Sequence, residues 1–155
     1  MEIIQKRLDE IFPYENNPRV NDGAVDAVAN SIRDFGFLQP IVVDRDWIII
    51  VGHTRYRAAA KLGLEEVPVV VAGDLSDKKA QAYRLADNKT GEISSWAFDK
   101  LMTELDALDQ SGIDLTPYGF AEALAKKDEP DKEPKEVTGG SKYITCPKCG
   151  FRWEK

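Results

Sequence analysis

Val51-Gly52-His53-Thr54-Arg55-Tyr56-Arg57-Ala58-Ala59 is the stretch on which the fold turns. It continues the run Trp47-Ile48-Ile49-Ile50, whose β-branched side chains suit a buried strand. It then enters a helical pattern over residues 55–62 that Gly63 stops. A strand that ends on glycine and opens a helix leaves the first helical amides without internal partners, at the positive end of the helix dipole. Glycine also lets a ligand approach the backbone closely. Thr54 adds a hydroxyl donor, and Arg55 a planar fork suited to phosphate oxygens. His53, the single histidine, has the chemistry either to hydrogen-bond an oxygen or to move a proton near neutral pH. Arg57 lies two positions beyond Arg55, so a helix need not aim the two the same way. The spacing describes an anion site and an ordinary helix start equally well, since early-helix arginines are commonly solvated and a lone histidine is commonly structural.

Upstream, Ile41-Val42-Val43 forms a buried strand, and Asp44-Arg45-Asp46 joins it to residues 47–51 as a hairpin. Val25, Val28, Ala29, Ile32 and Phe35 mark one face of a helix that Gly36 ends. Leu8-Asp9-Glu10-Ile11-Phe12-Pro13-Tyr14 reads as the first strand, leading into the turn Glu15-Asn16-Asn17-Pro18-Arg19. Downstream, Val67-Pro68-Val69-Val70-Val71 is a further strand, with Pro68 favouring its beginning or a sheet edge. Ser76 is placed to cap a helix with Ala80, Tyr83 and Ala86 on its apolar side, and Trp96, Leu101, Leu105 and Leu108 mark another that closes at Gly112. The expected class is α/β (α+β): a small mixed sheet with helices over residues 1–92 and a helical extension over 93–125. Residues 126–140 turn abruptly to Lys, Asp, Glu, Pro and Gly and read as a flexible linker, and residues 141–155 as a short separate tail.

A length of 155 residues suits one domain with appendages. No apolar run approaches the ~20 residues needed to span a bilayer, and Met1-Glu2-Ile3-Ile4-Gln5-Lys6 lacks the form of a signal peptide. The expected compartment is the cytoplasm, with no membrane partner. A net charge of −6 argues against indiscriminate coating of nucleic acid. Two cysteines, both near the C-terminus, exclude a disulfide framework for the main domain.

Taken in order, Asn16-Asn17-Pro18-Arg19, then Ser31-Ile32-Arg33-Asp34-Phe35-Gly36-Phe37-Leu38-Gln39-Pro40-Ile41-Val42-Val43, then residues 51–59, resemble successive boxes of the ParB N-terminal domain, in the ParB/sulfiredoxin superfamily. The resemblance continues through Val67-Pro68-Val69-Val70 to Ala86-Asp87-Asn88-Lys89-Thr90 and spans residues 7–92. It implies that residues 52–58 hold nucleotide phosphates, through Gly52, His53, Thr54, Arg55 and Arg57, with Gln39 and Pro40 bordering the nucleotide. Partition proteins of the superfamily use CTP; its sulfiredoxins and free-serine kinases use ATP or ADP. Asp87 and Asn88 match the box that helps hold nucleotide and Mg²⁺, although the arginine that normally ends this box is absent. Partition proteins usually carry Glu-Arg-Arg where His53-Thr54-Arg55 stands, which weakens the case for CTP in particular. The cysteine of sulfiredoxins has no counterpart near Gly52. The segment around Arg84-Leu85-Ala86-Asp87-Asn88 followed by Trp96 also resembles phage and prophage ParB-type domains, which are often fused to or encoded near DNA methyltransferases. This implies a methyltransferase as a partner or a relic of the association, not as an activity of this chain, since no methyltransferase motif is present.

The region after the core is acidic, with Asp99, Glu104, Asp106, Asp109, Asp114 and Glu122, and is a poor candidate for reading DNA bases. In the tail, Cys146-Pro147-Lys148-Cys149-Gly150 has the form of half a zinc knuckle. Two tails of a homodimer sharing one Zn²⁺, zinc shared with a partner protein, and a metal-free or redox motif remain open. Lys142, Tyr143, Lys148, Arg152 and Trp153 make the tail the expected DNA contact. Three functions stand together: a nucleotide-binding regulatory module; an enzyme (Mg²⁺-dependent NTPase, small-molecule kinase or DNase) with Asp87 and His53 as catalytic candidates; and a scaffold whose pocket is empty.

Overall fold

The computed structural model describes residues 2–125, 143–145 and 152–154. The main sheet contains β1 (Ile3–Arg7), β2 (Ile41–Val43), β3 (Ile49–Val51) and β4 (Glu66–Val71), in the order β1-β4-β2-β3. The β1·β4 and β2·β3 pairs are antiparallel, and β2·β4 is parallel, with Ile41 opposite Val69. This is the expected small mixed sheet.

The helices follow from periodicity and glycine stops. α1 (Val25–Phe35) ends at Gly36, whose φ is 86° and whose N–H donates to Ile32 O at 2.9 Å. α2 (His53–Leu62) ends at Gly63, whose φ is 69°. The two pack together through Val25, Ala29 and Ala58, where small side chains let the helices approach closely. The other core cluster gathers Ile11, Ile41, Val43, Ile49, Ala59, Val67 and Val69, so the β-branched runs fill the space between sheet and helices. α3 (Asp77–Ile93) packs against β3. α4 (Phe98–Gln110) buries Leu105 and is followed by a short 3₁₀ turn at Thr116–Tyr118 and by α5 (Ala121–Ala125). That turn docks on α1: the Tyr118 hydroxyl donates to Asp34 Oδ2 at 2.8 Å, Asn30 Nδ2 donates to Pro117 O at 3.0 Å, and the Phe35 and Tyr118 rings lie 5.2 Å apart. β5 (Tyr143–Thr145) and β6 (Arg152–Glu154) pair antiparallel. The linker of residues 126–140 and Cys146 and Cys149 lie outside the described residues. Among the described residues, no helix is long and apolar enough to cross a membrane.

Several sequence expectations are corrected. The first strand is Ile3–Arg7; Leu8–Glu10 instead forms a 3₁₀ turn. The reason is alternation: Ile4 and Lys6 turn inward between exposed neighbours, giving β4 a complete antiparallel partner. Phe12 then makes an isolated parallel bridge with Ile48. β3 begins at Ile49 because Trp47 belongs to the turn, with φ at +63°. Asp44 Oδ1 accepts from Asp46 N–H at 3.0 Å and from Ile48 N–H at 2.9 Å, closing that turn. Pro68 is not at a sheet edge, since β4 is central. It precedes the first residue paired with β2, which spares the missing N–H on that side. Ser76 occupies the position before α3 but makes no capping side-chain bond, and Tyr83 and Ala86 are exposed. The α3 face that turns inward carries Ala80 and Arg84. Trp96 precedes α4 and is exposed.

Candidate functional site

The junction of β3 and α2 is built on Gly52, whose φ of 107° and ψ of 23° lie where a side chain is strained. The first helical hydrogen bond runs from Tyr56 N–H to Gly52 O at 2.9 Å, so the amides of residues 53–55 have no partner within the helix. Among the described residues no side chain caps this end. Residues 53–55 line a cavity of about 240 Å³. Gly52, His53, Thr54 and Arg55 supply one wall; Asp87 and Asn88 of α3 supply another; Asn17, Arg19 and Asn21 of the loop before α1 close it, with Val28 of α1 beneath.

Arg55 folds back over the glycine: its Cζ lies 3.6 Å from where a Cβ on Gly52 would sit. Its Nη1 donates to Gln39 O at 2.8 Å and Pro40 O at 2.5 Å. Nε and Nη2 remain for an anion, as two of the donor groups of a rigid planar fork. Burial draws the Arg55 guanidinium below its ordinary pKa, opposed by the nearby Asp87 carboxylate. An anion entering the cavity would offset that desolvation.

His53 is tied elsewhere. Its Nε2 accepts from Tyr14 N–H at 3.3 Å, which places the ring proton of the neutral form on Nδ1. Burial, with the Arg84 charge as a smaller cause, lowers its pKa from the ordinary 6.5. In the interval between the lowered folded pKa and 6.5 the unfolded chain binds more protons, so stability is full above 6.5 and declines as pH falls through the folded value. His53→Gln is therefore expected to flatten the loss of urea stability between pH 7.5 and 5, a change read cleanly because the chain has one histidine. An unchanged pH slope in the variant would show that His53 is not its source.

Asn88 Nδ2 donates to Arg84 O at 2.7 Å, leaving its amide oxygen as a further polar group beside the cavity. Gln39 lines a second cavity, of about 400 Å³, on the other side of Arg55, with Val28, Ile32, Phe35, Phe37 and Leu38. Pro40 contributes its carbonyl to Arg55. Arg57 does not line this cavity: it pairs with Asp22, in the 3₁₀ turn Asp22–Ala24 that precedes α1. The fold thus gathers Gly52, His53, Thr54, Arg55, Asp87 and Asn88 and leaves Arg57 outside.

Sequence reasoning assigned no site role to Asn17 and Arg19, which read as turn residues, or to Asn21. For Asn17 and Arg19 the one available signal was position within the Asn16-Asn17-Pro18-Arg19 box; Asn21, beyond it, had none. Sequence reasoning also missed Arg84, which supports the site from below. Arg84 Nε donates to Ile49 O at 2.9 Å, Nη2 lies 3.4 Å from Asp44 Oδ2, and the guanidinium stacks 4.0 Å from the Tyr14 ring centroid. Tyr14 is the residue whose N–H meets His53.

A four-stranded mixed sheet with an open helix start between β3 and α2 defines a small α/β domain with a candidate anion site. The pattern of the ParB N-terminal domain matches residues 2–89, more than half of the chain, and the chain belongs to that family. It is 35% identical over 82 residues to the ParB-like nuclease domain-containing protein YnaK of Escherichia coli K12, covering 52% of this chain and 94% of that protein. It is 33% identical over 147 residues to a nucleoid occlusion protein of Bacillus cereus, covering 88% of this chain but 50% of the relative. Among solved structures, a C-terminally truncated chromosome-partitioning protein ParB from Caulobacter crescentus, complexed with CTP-gamma-S, matches with a TM-score of 0.58 and 21% identity. That match covers 84% of this chain and 81% of the other.

Proposed function

We propose that this chain is a nucleotide-binding regulatory module of DNA transactions, with the triphosphate of CTP or ATP held at the start of α2. The observation that carries this reading is that the open start of α2 at residues 53–55, Arg55 with donors beyond those given to Gln39 and Pro40, and Asn88 all line one cavity. Membership of the ParB N-terminal domain family supports it. The adjoining apolar cavity beneath Phe37 and Leu38 offers room for the rest of the nucleotide. Among the described residues Asp87 is the one carboxylate that lines the cavity, and one carboxylate plus ligand phosphates is a common way to hold Mg²⁺. The same proposal takes in a phage or prophage setting, a methyltransferase or DNA partner, a homodimer, and zinc at Cys146 and Cys149.

A Mg²⁺-dependent NTPase is the second reading, favoured by Asp87 beside Arg55. A DNase ranks below it, because among the described residues no three His, Cys, Asp or Glu side chains gather to hold metal. The test is calorimetric titration with CTP, ATP and GTP, each with Mg²⁺, followed by phosphate-release assays. Arg55→Ala is expected to weaken nucleotide binding at least about tenfold, the worth of one charge-assisted bond, with the helical circular dichroism retained. Unaltered affinity in that variant refutes the phosphate assignment.

A further inference from the structure

Two ion pairs form a ladder between α2 and the start of α1. Arg57 pairs with Asp22, and Lys61 with Asp26. Each member lies four residues from the next on its own segment, so the rungs stand about one helical turn apart and advance in the same direction along both. The two rungs hold different things. Lys61–Asp26 connects helices that are already packed through Val25, Ala29 and Ala58. Arg57–Asp22 reaches past that seam to the 3₁₀ turn before α1, where Asp22, Gly23 and Ala24 are all exposed. Little apolar packing fixes that turn, so the charge pair is its tie to α2.

What the turn carries decides the consequence. Asn21, immediately before it, lines the cavity at the start of α2, on the wall supplied by the loop before α1. The other end of that loop is held by Asn17 N–H donating to Tyr14 O at 3.1 Å, and Val20 in its middle is 86% exposed. The wall therefore has one root at Tyr14 and the other at Asp22. Arg57 sits two residues beyond Arg55, a rotation of about 200° along a helix, which takes it out of the cavity lining and to the second root.

We infer that the Asp22–Arg57 pair is a clip that keeps the loop wall against a ligand bound at the start of α2, and that Arg57 is a positioning residue acting through Asp22. The inference rests on the phosphate reading above and adds to it a control on how long the ligand stays. The Arg57 and Asp22 side chains are 47% and 70% exposed, so the pair is screened and adds little to the stability of the fold. Its effect falls on the ligand, because a wall that opens more often releases what it encloses sooner.

The test is stopped-flow measurement of dissociation from the full chain, with fluorescent CTP and ATP analogues and Mg²⁺ at about 0.15 M salt. Asp22→Asn is expected to speed dissociation about two- to fivefold, the range of an exposed ion pair, with association nearly unchanged. Asp26→Asn removes the neighbouring rung and should leave dissociation unchanged. Exchanging the charges, Asp22→Arg with Arg57→Asp, should bring dissociation back to within about twofold of the wild-type rate. Thermal denaturation should move equally little in the two asparagine variants, so a merely structural role would not separate them. Equal acceleration in both would mean general loosening of the helix seam and overturns the inference, as does unchanged dissociation in Asp22→Asn. Failure of the exchanged pair to recover the rate overturns it too, and a loss of about tenfold in Arg57→Ala would then mark Arg57 as a direct ligand. If Arg55→Ala loses affinity while Asp22→Asn dissociates at the wild-type rate, this inference falls and the phosphate site stands. If the wild-type chain binds neither nucleotide, both fall.

Discussion

Arg84→Ala is expected to destabilise the domain by about 3 kcal/mol, toward the lower end for a broken buried ion pair. The side chain is 8% exposed, and it connects three elements that are distant in sequence. Its Nε bond to Ile49 O holds α3 to the first residue of β3, the strand that runs on into Gly52. Its contact with Asp44, whose own side chain is 15% exposed, balances a carboxylate that also closes the β2–β3 turn. Its stacking on Tyr14 pins the segment that donates to His53. Alanine would leave a carbonyl and a carboxylate short of a partner and open space beside an aromatic ring. The 3.4 Å separation from Asp44 is long for a charge-assisted bond, which keeps the expected loss from being larger. Arg84→Met retains much of the packing and should recover part of the loss, while leaving Asp44 unbalanced. Urea denaturation at pH 7 measures both. A loss below about 1 kcal/mol in the alanine variant would show that this network is not a main support of the fold. A second reading comes from His53: without the neighbouring cation its pKa should rise, visible in an NMR titration of the single imidazole.

Arg84 also shows where reading the sequence stops. The sheet was legible because runs such as Ile41-Val42-Val43 bury both faces and carry their own signal, and α1 and α2 because each shows helical periodicity and ends at a glycine with positive φ. The burial of Arg84 has no such local sign. Its partners Asp44 and Ile49 are 40 and 35 residues away, and a helix containing Ala80, Tyr83 and Ala86 invites the wrong face. β1 was displaced for a related reason. Ile3-Ile4-Gln5-Lys6-Arg7 looks too polar for a strand until β4 supplies the partner that rewards its alternation. That Gly52 and Arg55 would share one cavity was legible because they lie within one helical turn of each other. Arg57 belongs to the same hexapeptide, yet two residues along a helix rotate a side chain well away, and Asp22 takes it. Arg19 enters the cavity only through tertiary folding of a loop that reads locally as a turn.

Gly52 is the position where fold and site depend on the same backbone angle, and Gly52→Ala is expected to weaken binding as well as stability. A Cβ there would lie 3.4 Å from Ile41 Cγ1 and 3.6 Å from Arg55 Cζ, close but ordinary contacts. Space is therefore not the obstacle; the φ of +107° is, at about 1–3 kcal/mol for a residue with a side chain. The chain can relieve that strain by rotating toward negative φ, but the rotation would turn the first amides of α2 away from the cavity. It would also draw Arg55 from the Gln39 and Pro40 carbonyls and His53 from Tyr14 N–H. Nucleotide affinity is expected to fall at least about tenfold, since more than one charge-assisted contact moves together. Gly63 supplies the control, with φ at 69° at the other end of the same helix and no atom within 4 Å of its would-be Cβ. Gly63→Ala should cost about 1 kcal/mol and leave affinity unchanged, because it strains a cap remote from the ligand. Equal losses of affinity in the two variants would trace the effect to general destabilisation of α2. Loss confined to Gly52→Ala would tie the glycine to the ligand through the direction in which it aims the helix.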